Sequence, residues 1–199
     1  MRILLIRHPE TLANVRNMIY GKTESEYSVK GTEMILEIID CLKQTKADLP
    51  KIIYSSPRDR ASKLARDIAI AMDVDDIIVE ERIREMEFGI FEGMTQEMAI
   101  SLHPEFYKKF MDNYSDYEIP EGESFKLVYE RAEQFLREII KLDKDCIVVS
   151  HAMFIKASIA VLLNLKLEEC WHFSTKPGSI TEIMYTQDFG MITELKNFL

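Results

Sequence analysis

Leu4-Leu5-Ile6-Arg7-His8-Pro9-Glu10-Thr11 runs a short apolar strand straight into an arginine and a histidine. In open α/β sheets ligands bind outside the carboxyl ends of the strands, so a guanidinium and an imidazole delivered there are placed for an anion. One such ending is a weak signal, because many strands end in charge. The pattern recurs, however. Lys51-Ile52-Ile53-Tyr54-Ser55-Ser56 leads to Arg58 and Arg60, and Asp76-Ile77-Ile78-Val79-Glu80 leads through a short loop to Arg84 and Glu85. Cys146-Ile147-Val148-Val149-Ser150 ends on His151, so two of the four histidines directly follow a predicted strand.

These four runs, at about 2–7, 51–56, 76–81 and 145–150, are continuously apolar, the mark of parallel strands buried on both faces. Helical periodicity separates them. A helix near 29–45 puts Met34, Ile35, Ile38 and Leu42 on one side. The next carries Ala61, Leu64, Ala65, Ile68 and Met72, with Ser56 as the expected N-cap and Pro57 at the first helical position. A third, from 124 to 141, turns Phe125, Val128, Ala132, Phe135 and Ile139 inward, and a fourth spans about 152–163. The tail, 179–185 and 191–195 around Asp188-Phe189-Gly190, reads as an antiparallel hairpin at the sheet edge. The expected fold is a three-layer α/β/α sandwich with a mainly parallel sheet, in one domain over 1–199. Segment 94–121 breaks the rhythm with two short helices, at 94–102 and 104–113, and a polar stretch to Pro120-Glu121-Gly122. It reads as a helical insertion over the C-terminal strand ends, a candidate lid. Its rings Phe106, Tyr107, Phe110, Tyr114 and Tyr117 read first as packing residues that pin it down.

Composition bounds the partners. No apolar run approaches the roughly 20 residues of a membrane span, and the apolar stretch at the start is too short for a signal peptide. Cys41, Cys146 and Cys170 are odd in number and lack a C-x-x-C pair, which reads as reduced thiols in a cytoplasmic protein without a zinc site. With 25 Lys+Arg against 34 Asp+Glu the formal charge is −9, which repels nucleic acid and acidic membranes. It repels a small phosphorylated molecule too, so an anion site has to be built from locally concentrated arginine and imidazole.

Arginines in the first turn of a helix face its partial positive charge, which Asp59 offsets in part. A phosphate at that helix start would turn the same charges into a site. On this reading Arg60 is functional and Arg58 a solvated surface residue. His8 fits a core histidine, a metal ligand or a nucleophile; no H-x-x-x-H or C-x-x-C supports a metal. A neutral imidazole with one nitrogen held as N–H is a competent phosphoryl nucleophile, and Arg7 beside it would keep its proton affinity low. His151 could donate to the equatorial oxygens as charge spreads over them. Glu85 could protonate the departing alkoxide and then deprotonate water.

At this point the residues resemble a known family. Arg7-His8, Glu10-Thr11 and Asn14 resemble the R-H-G-E-T-x-x-N signature of the histidine phosphatase superfamily, the phosphoglycerate mutase-like proteins. Tyr20-Gly21, Ser28 and Gly31 are similar to its stretch before the first helix, and Ser55 to Ala61 to its S-S-x-x-x-R-A segment. Arg84 to Gly93 resembles L-x-E-x-x-F-G-x-W-E-G, Pro120-Glu121-Gly122-Glu123-Ser124 matches P-x-G-E-S, and Val149-Ser150-His151 matches the second histidine. The motifs are individually weak but specific in this order along almost the whole chain.

The resemblance implies a phosphohistidine on His8, with Arg7, Arg60 and His151 holding the phosphoryl group. It also implies a phosphate contact from Asn14, Glu85 as proton donor, and no metal or organic cofactor. The expected activity is a metal-independent phosphomonoesterase for a small phosphorylated metabolite. Alternatives are an α-ribazole phosphatase in particular, through the likeness of Tyr20-Gly21-Lys22-Thr23-Glu24 to Y-G-x-T-D; a phosphoglycerate mutase; or a non-catalytic phospho-ligand binder. Glu87 and Glu92 read as loop-shaping or solvated, and His103 and His172 as surface or packing residues. Pro9 stands where the family has glycine. It loses an N–H and fixes φ near −65°, yet keeps a carbonyl that can accept from His8.

Overall fold

Ile3, Leu4, Leu5 and Ile6 are all buried, so the first strand, β1 (Arg2–Arg7), has no solvent-facing side. The computed structural model describes residues 1–44 and 49–198. From β1 the chain continues through α1 (Leu12–Val15), β2 (Met18–Ile19), α2 (Val29–Gln44), β3 (Ile52–Ser55), α3 (Asp59–Met72) and β4 (Ile77–Val79). Then follow β5 (Met94–Thr95), α4 (Gln96–Leu102), α5 (Pro104–Asp112), α6 (Phe125–Leu142), β6 (Cys146–Ser150), α7 (Ala152–Leu162), β7 (Ile180–Thr186) and β8 (Phe189–Lys196). The main sheet has the order β4-β3-β6-β1-β7-β8, while β2 and β5 pair separately. Strands β1, β3, β4 and β6 are parallel; β7 pairs antiparallel with β1, and β8 pairs antiparallel with β7 at the edge.

Successive strand side chains point to opposite faces, and this divides the core in two. Ile3, Leu5, Tyr54 and Val148 pack in one cluster with Phe135 and Leu136 of α6 and Phe154 of α7. Leu4, Ile6, Ile53, Ile147 and Val149 pack in the other with Ile38 of α2 and Leu64 and Ile68 of α3. The three layers of the expected sandwich follow from that alternation.

Four local readings are corrected. The run at 76–81 forms only β4, an edge strand whose Ile78 and Val79 are exposed; among the described residues it pairs with β3 alone. Helix α3 starts at Asp59 after Arg58, which makes no side-chain cap; Ser56, the expected cap, lies three residues before the helix, where its hydroxyl accepts from Arg58 N–H (3.3 Å) and also lies 2.7 Å from His151 Nε2. The hairpin turns on Gln187 and Asp188, both at positive φ (49° and 59°), the two-residue geometry that suits the twist of the flanking strands. Gly190 lies within β8, where a Cβ would stand 2.2 Å from the Leu162 carbonyl oxygen, so this glycine answers a close approach of α7 rather than a turn. Finally, the helix expected over 94–102 begins at Gln96, because Met94 and Thr95 pair with Ile19 and Met18 as β5. Residue 45, the last of the expected first helix, lies outside the described residues.

Segment 94–121 passes over the C-terminal strand ends, where Tyr107, Phe110 and Tyr114 border the same cavity as Arg7 and His8. Ring contacts fix it: Phe91 lies 5.6 Å from Tyr107 and 5.9 Å from Phe110, and Phe110 lies 4.8 Å from Tyr114 (centroid distances).

Candidate active site

The sheet register assembles the site. Arg7 pairs with Ser150 across β1 and β6, so the next residues, His8 and His151, leave adjacent strand ends side by side. His8 N–H extends the ladder by donating to the Ser150 carbonyl (3.0 Å), and the two imidazole centroids are 5.2 Å apart. On the other side of β6, Ser55 pairs with Val149 and Ser56 N–H donates to Val149 O (3.0 Å), which places Ser56 at the same edge.

His8 is buried, and its Nδ1 lies 2.8 Å from the Pro9 carbonyl oxygen. A carbonyl only accepts, so Nδ1 carries the hydrogen and Nε2 keeps its lone pair. Proline in place of glycine therefore preserves the contact that sets the tautomer. Burial, reinforced by the cations Arg7 and Arg60, holds His8 well below the ordinary imidazole range. His151 is held down by burial as well, then by Arg60, His8 and Arg7. Its Nε2 lies 2.7 Å from Ser56 Oγ, and its Nδ1 is buried with no partner among the described residues.

The two arginines are anchored by backbone carbonyls. Arg7 Nη1 donates to Thr175 O (2.6 Å). Arg60 donates to Gly21 O (2.7 Å) and Thr23 O (3.1 Å), pairs with Glu24 (3.4 Å), and lies over the Tyr20 ring at 4.7 Å. Gly21 is required there, since a Cβ would fall 1.7 Å from the Met86 carbonyl oxygen. The Nε atoms of Arg7 and Arg60 are buried without partners among the described residues, as is Nδ1 of His151. Buried polar nitrogens in native folds are almost always satisfied, so these three, on residues around the His8 imidazole, are available to an anion there.

Glu85 is buried, with Oε1 accepting from Met86 N–H (3.1 Å) and from Met153 N–H in the first turn of α7 (3.0 Å). Burial raises its pKa against the opposing pull of Arg7 and Arg60. Asn14 Oδ1 accepts from Thr11 N–H (3.1 Å) and Tyr20 OH (3.0 Å), which leaves its amide N–H groups for the cavity it lines.

All six expected residues, Arg7, His8, Asn14, Arg60, Glu85 and His151, thus come together. Arg58 differs from expectation: it is half-buried and ion-paired with Glu87 (3.0 Å), because the 85–93 loop folds back over the start of α3. Glu92 shapes loops outright, accepting from the N–H groups of Gly21, Lys22, Thr23 and Phe88. Burial alone would raise its pKa; the hydrogen bonds win and hold it below the usual carboxylate range. His103 packs against Phe91, and His172 is exposed.

Sequence reasoning missed Ser56 as the partner of His151, and it missed Arg131. From α6, Arg131 donates to the carbonyls of Arg82 (2.5 Å), Arg84 (2.6 Å) and Glu85 (3.1 Å) and to Glu123 (3.3 Å). It thereby clamps the strand-to-loop segment that carries Glu85. The available signal was a charge on the inward stripe of α6, beside Val128, Ala132 and Phe135.

Among the described residues no group of three or more His, Cys, Asp or Glu side chains is placed to hold a metal ion. No helix among them is long and apolar enough to cross a membrane.

Comparison with known proteins shows the family. Residues 3–197 match the histidine phosphatase superfamily (branch 1). Phosphoserine phosphatase 1 of Hydrogenobacter thermophilus is 28% identical over 197 residues, covering 98% of this chain and 92% of that protein. The crystal structure of the α-ribazole phosphatase from Shigella flexneri superposes with a TM-score of 0.88 at 26% identity, covering 99% of this chain and 96% of the other. The phosphoserine phosphatase of Entamoeba histolytica, in complex with 3-phosphoglyceric acid, gives 0.82 at 28% identity, covering 99% and 97%.

Proposed function

Because this chain belongs to branch 1 of the histidine phosphatase superfamily, we propose that it is a phosphomonoesterase that works through a phosphohistidine on His8. The observation that carries the reading is the imidazole pair: His8 with Nδ1 tied to Pro9 O, and His151 alongside at 5.2 Å. Nε2 of His8 attacks phosphorus as the P–O bond to the alcohol breaks, and Glu85 gives its proton to the departing oxygen. Glu85, now a carboxylate, takes a proton from water. The water oxygen attacks phosphorus, the P–N bond breaks, and inorganic phosphate leaves. Arg7, Arg60, Asn14 and the His151 Nδ1–H neutralise the phosphoryl oxygens throughout.

The two pKa directions suit this division of labour. Burial and two cations keep His8 neutral and nucleophilic, while burial keeps Glu85 protonated above the ordinary carboxyl range. The relatives' names bring α-ribazole phosphate and phosphoserine to this chain as candidate substrates within the class of small phosphorylated metabolites.

Hydrolysis of p-nitrophenyl phosphate tests the reading. The wild type turns over and, on acid-free quenching, yields an acid-labile phosphoenzyme; His8→Ala gives neither. Activity surviving that substitution refutes the nucleophile, and an inert wild type that still binds phosphate makes the protein a phospho-ligand binder.

A further inference from the structure

The cavity above His8, of ≈ 440 Å³, has the size of a small-molecule site. Away from the phosphate end its wall is built from Tyr107, Phe110, Met111, Tyr114, Met153 and Trp171. The rings pack against one another: Phe110 meets Tyr114 at 4.8 Å with planes tilted by 45°, and Tyr114 meets Trp171 edge-to-face at 4.6 Å with planes at 85°. The polar groups on this wall are neutral, chiefly Asn17 and Gln96. Among the described lining residues Arg7 is the only cation, and its Nη1 is already bound to Thr175 O. Lys156, the lysine nearest the rings, donates to Phe173 O (2.6 Å) and lies over the Trp171 face (4.5 Å).

From this wall, and resting on the phosphomonoesterase reading above, we propose that the preferred substrate is the phosphomonoester of an alcohol bearing an uncharged, largely apolar ring. An alcohol carrying a carboxylate is discriminated against. Solvation sets this preference. A carboxylate entering this cavity leaves water for rings and thioethers with no free cation to meet it, and an uncompensated buried charge is costly. Glu85, the only acid among the described lining residues, sits at the phosphate end and adds repulsion whenever it is ionised. An aromatic ring instead gains apolar contact along the Phe110–Tyr114–Trp171 surface. The selectivity therefore runs opposite to that of a site for phosphoserine or 3-phosphoglycerate.

The test compares three primary phosphate esters: 2-phenylethyl phosphate, O-phosphoserine and 3-phosphoglycerate. Both kcat/KM and, with the His8→Ala protein, dissociation constants by titration calorimetry are measured. The aromatic ester is expected to lead by about tenfold or more in kcat/KM, the scale on which apolar pockets discriminate, and to bind more tightly. Met111 is half-exposed on α5, so Met111→Lys leaves the fold intact; it raises kcat/KM for 3-phosphoglycerate several-fold and narrows the gap. Equal or better turnover of either carboxylated ester by the wild type, with equal or tighter binding to the His8→Ala protein, overturns the proposal while leaving the enzyme reading in place. Turnover of none of the three by a protein that hydrolyses p-nitrophenyl phosphate overturns the proposal alone; failure with p-nitrophenyl phosphate as well rejects the enzyme reading, and the binding order then decides the pocket preference.

Discussion

Replacing Ser56 by alanine removes one oxygen atom from the site without touching a charge or a ring. Ser56 is fully buried, and its Oγ accepts from Arg58 N–H at 3.3 Å while lying 2.7 Å from His151 Nε2. With that N–H already directed at the oxygen, the hydroxyl hydrogen is free to go to Nε2, which leaves the ring hydrogen on Nδ1, the nitrogen without another partner. Ser56→Ala strands a buried Nε2, a cost of about 1–3 kcal/mol in stability. At roughly 2–4 °C per kcal/mol for a chain of this size, the melting temperature falls by several degrees. The catalytic effect is separate: the ring now partitions between tautomers, and Nδ1 is a donor only part of the time. Complete loss of one preorganised donor costs roughly 10²–10³ in kcat, so a partial loss is expected at about 10- to 100-fold. The assay is rapid-quench phosphoenzyme formation with p-nitrophenyl phosphate in wild type, Ser56→Ala, His151→Ala and the double variant. If Ser56 acts through His151, its removal adds nothing once the imidazole is gone. A Ser56→Ala enzyme with wild-type kcat, or costs that simply add in the double variant, refutes the reasoning.

Two further outcomes follow from the same geometry. The pH profile of kcat/KM is a bell whose acid limb lies below the ordinary imidazole value of about 6.5, because burial and the Arg7 and Arg60 charges depress His8. Its alkaline limb reports Glu85, raised by burial, and Glu85→Gln removes that limb together with most of the rate; an acid limb at or above the free imidazole value contradicts a depressed nucleophile. Arg131→Lys loses the fork that holds the carbonyls of Arg82, Arg84 and Glu85. A misplacement of the donor by an ångström costs on the order of 10²-fold, so kcat falls by about 10- to 100-fold with KM nearly constant and the alkaline limb displaced; a fall in thermal stability with kinetics and pH profile unchanged shows a purely structural role.

The order of motifs and the apolar runs at 2–7 and 145–150 determined by themselves that charged and imidazole side chains would stand at strand ends in a layered α/β fold. Periodicity is a local property, and burial of successive residues on both faces leaves a direct imprint on it, so β1, β6 and the inward stripes of α3 and α6 could be read residue by residue. The tertiary structure alone decided which strands are neighbours. It inserts β6 between β3 and β1, and that non-local pairing, invisible to any short window, sets the two histidines side by side. It also redirected hydroxyls and charges that looked local. Besides Arg58 N–H, Ser56 meets His151, 95 residues away, and Arg131 on the inward face of α6 meets the loop carrying Glu85, because a buried polar group bonds to whichever partner the packing brings within reach, however distant along the chain. The cavity wall is decided in the same way, since Met153 and Trp171 join Tyr107 and Tyr114 only after α5, α7 and the segment following α7 have packed over the sheet.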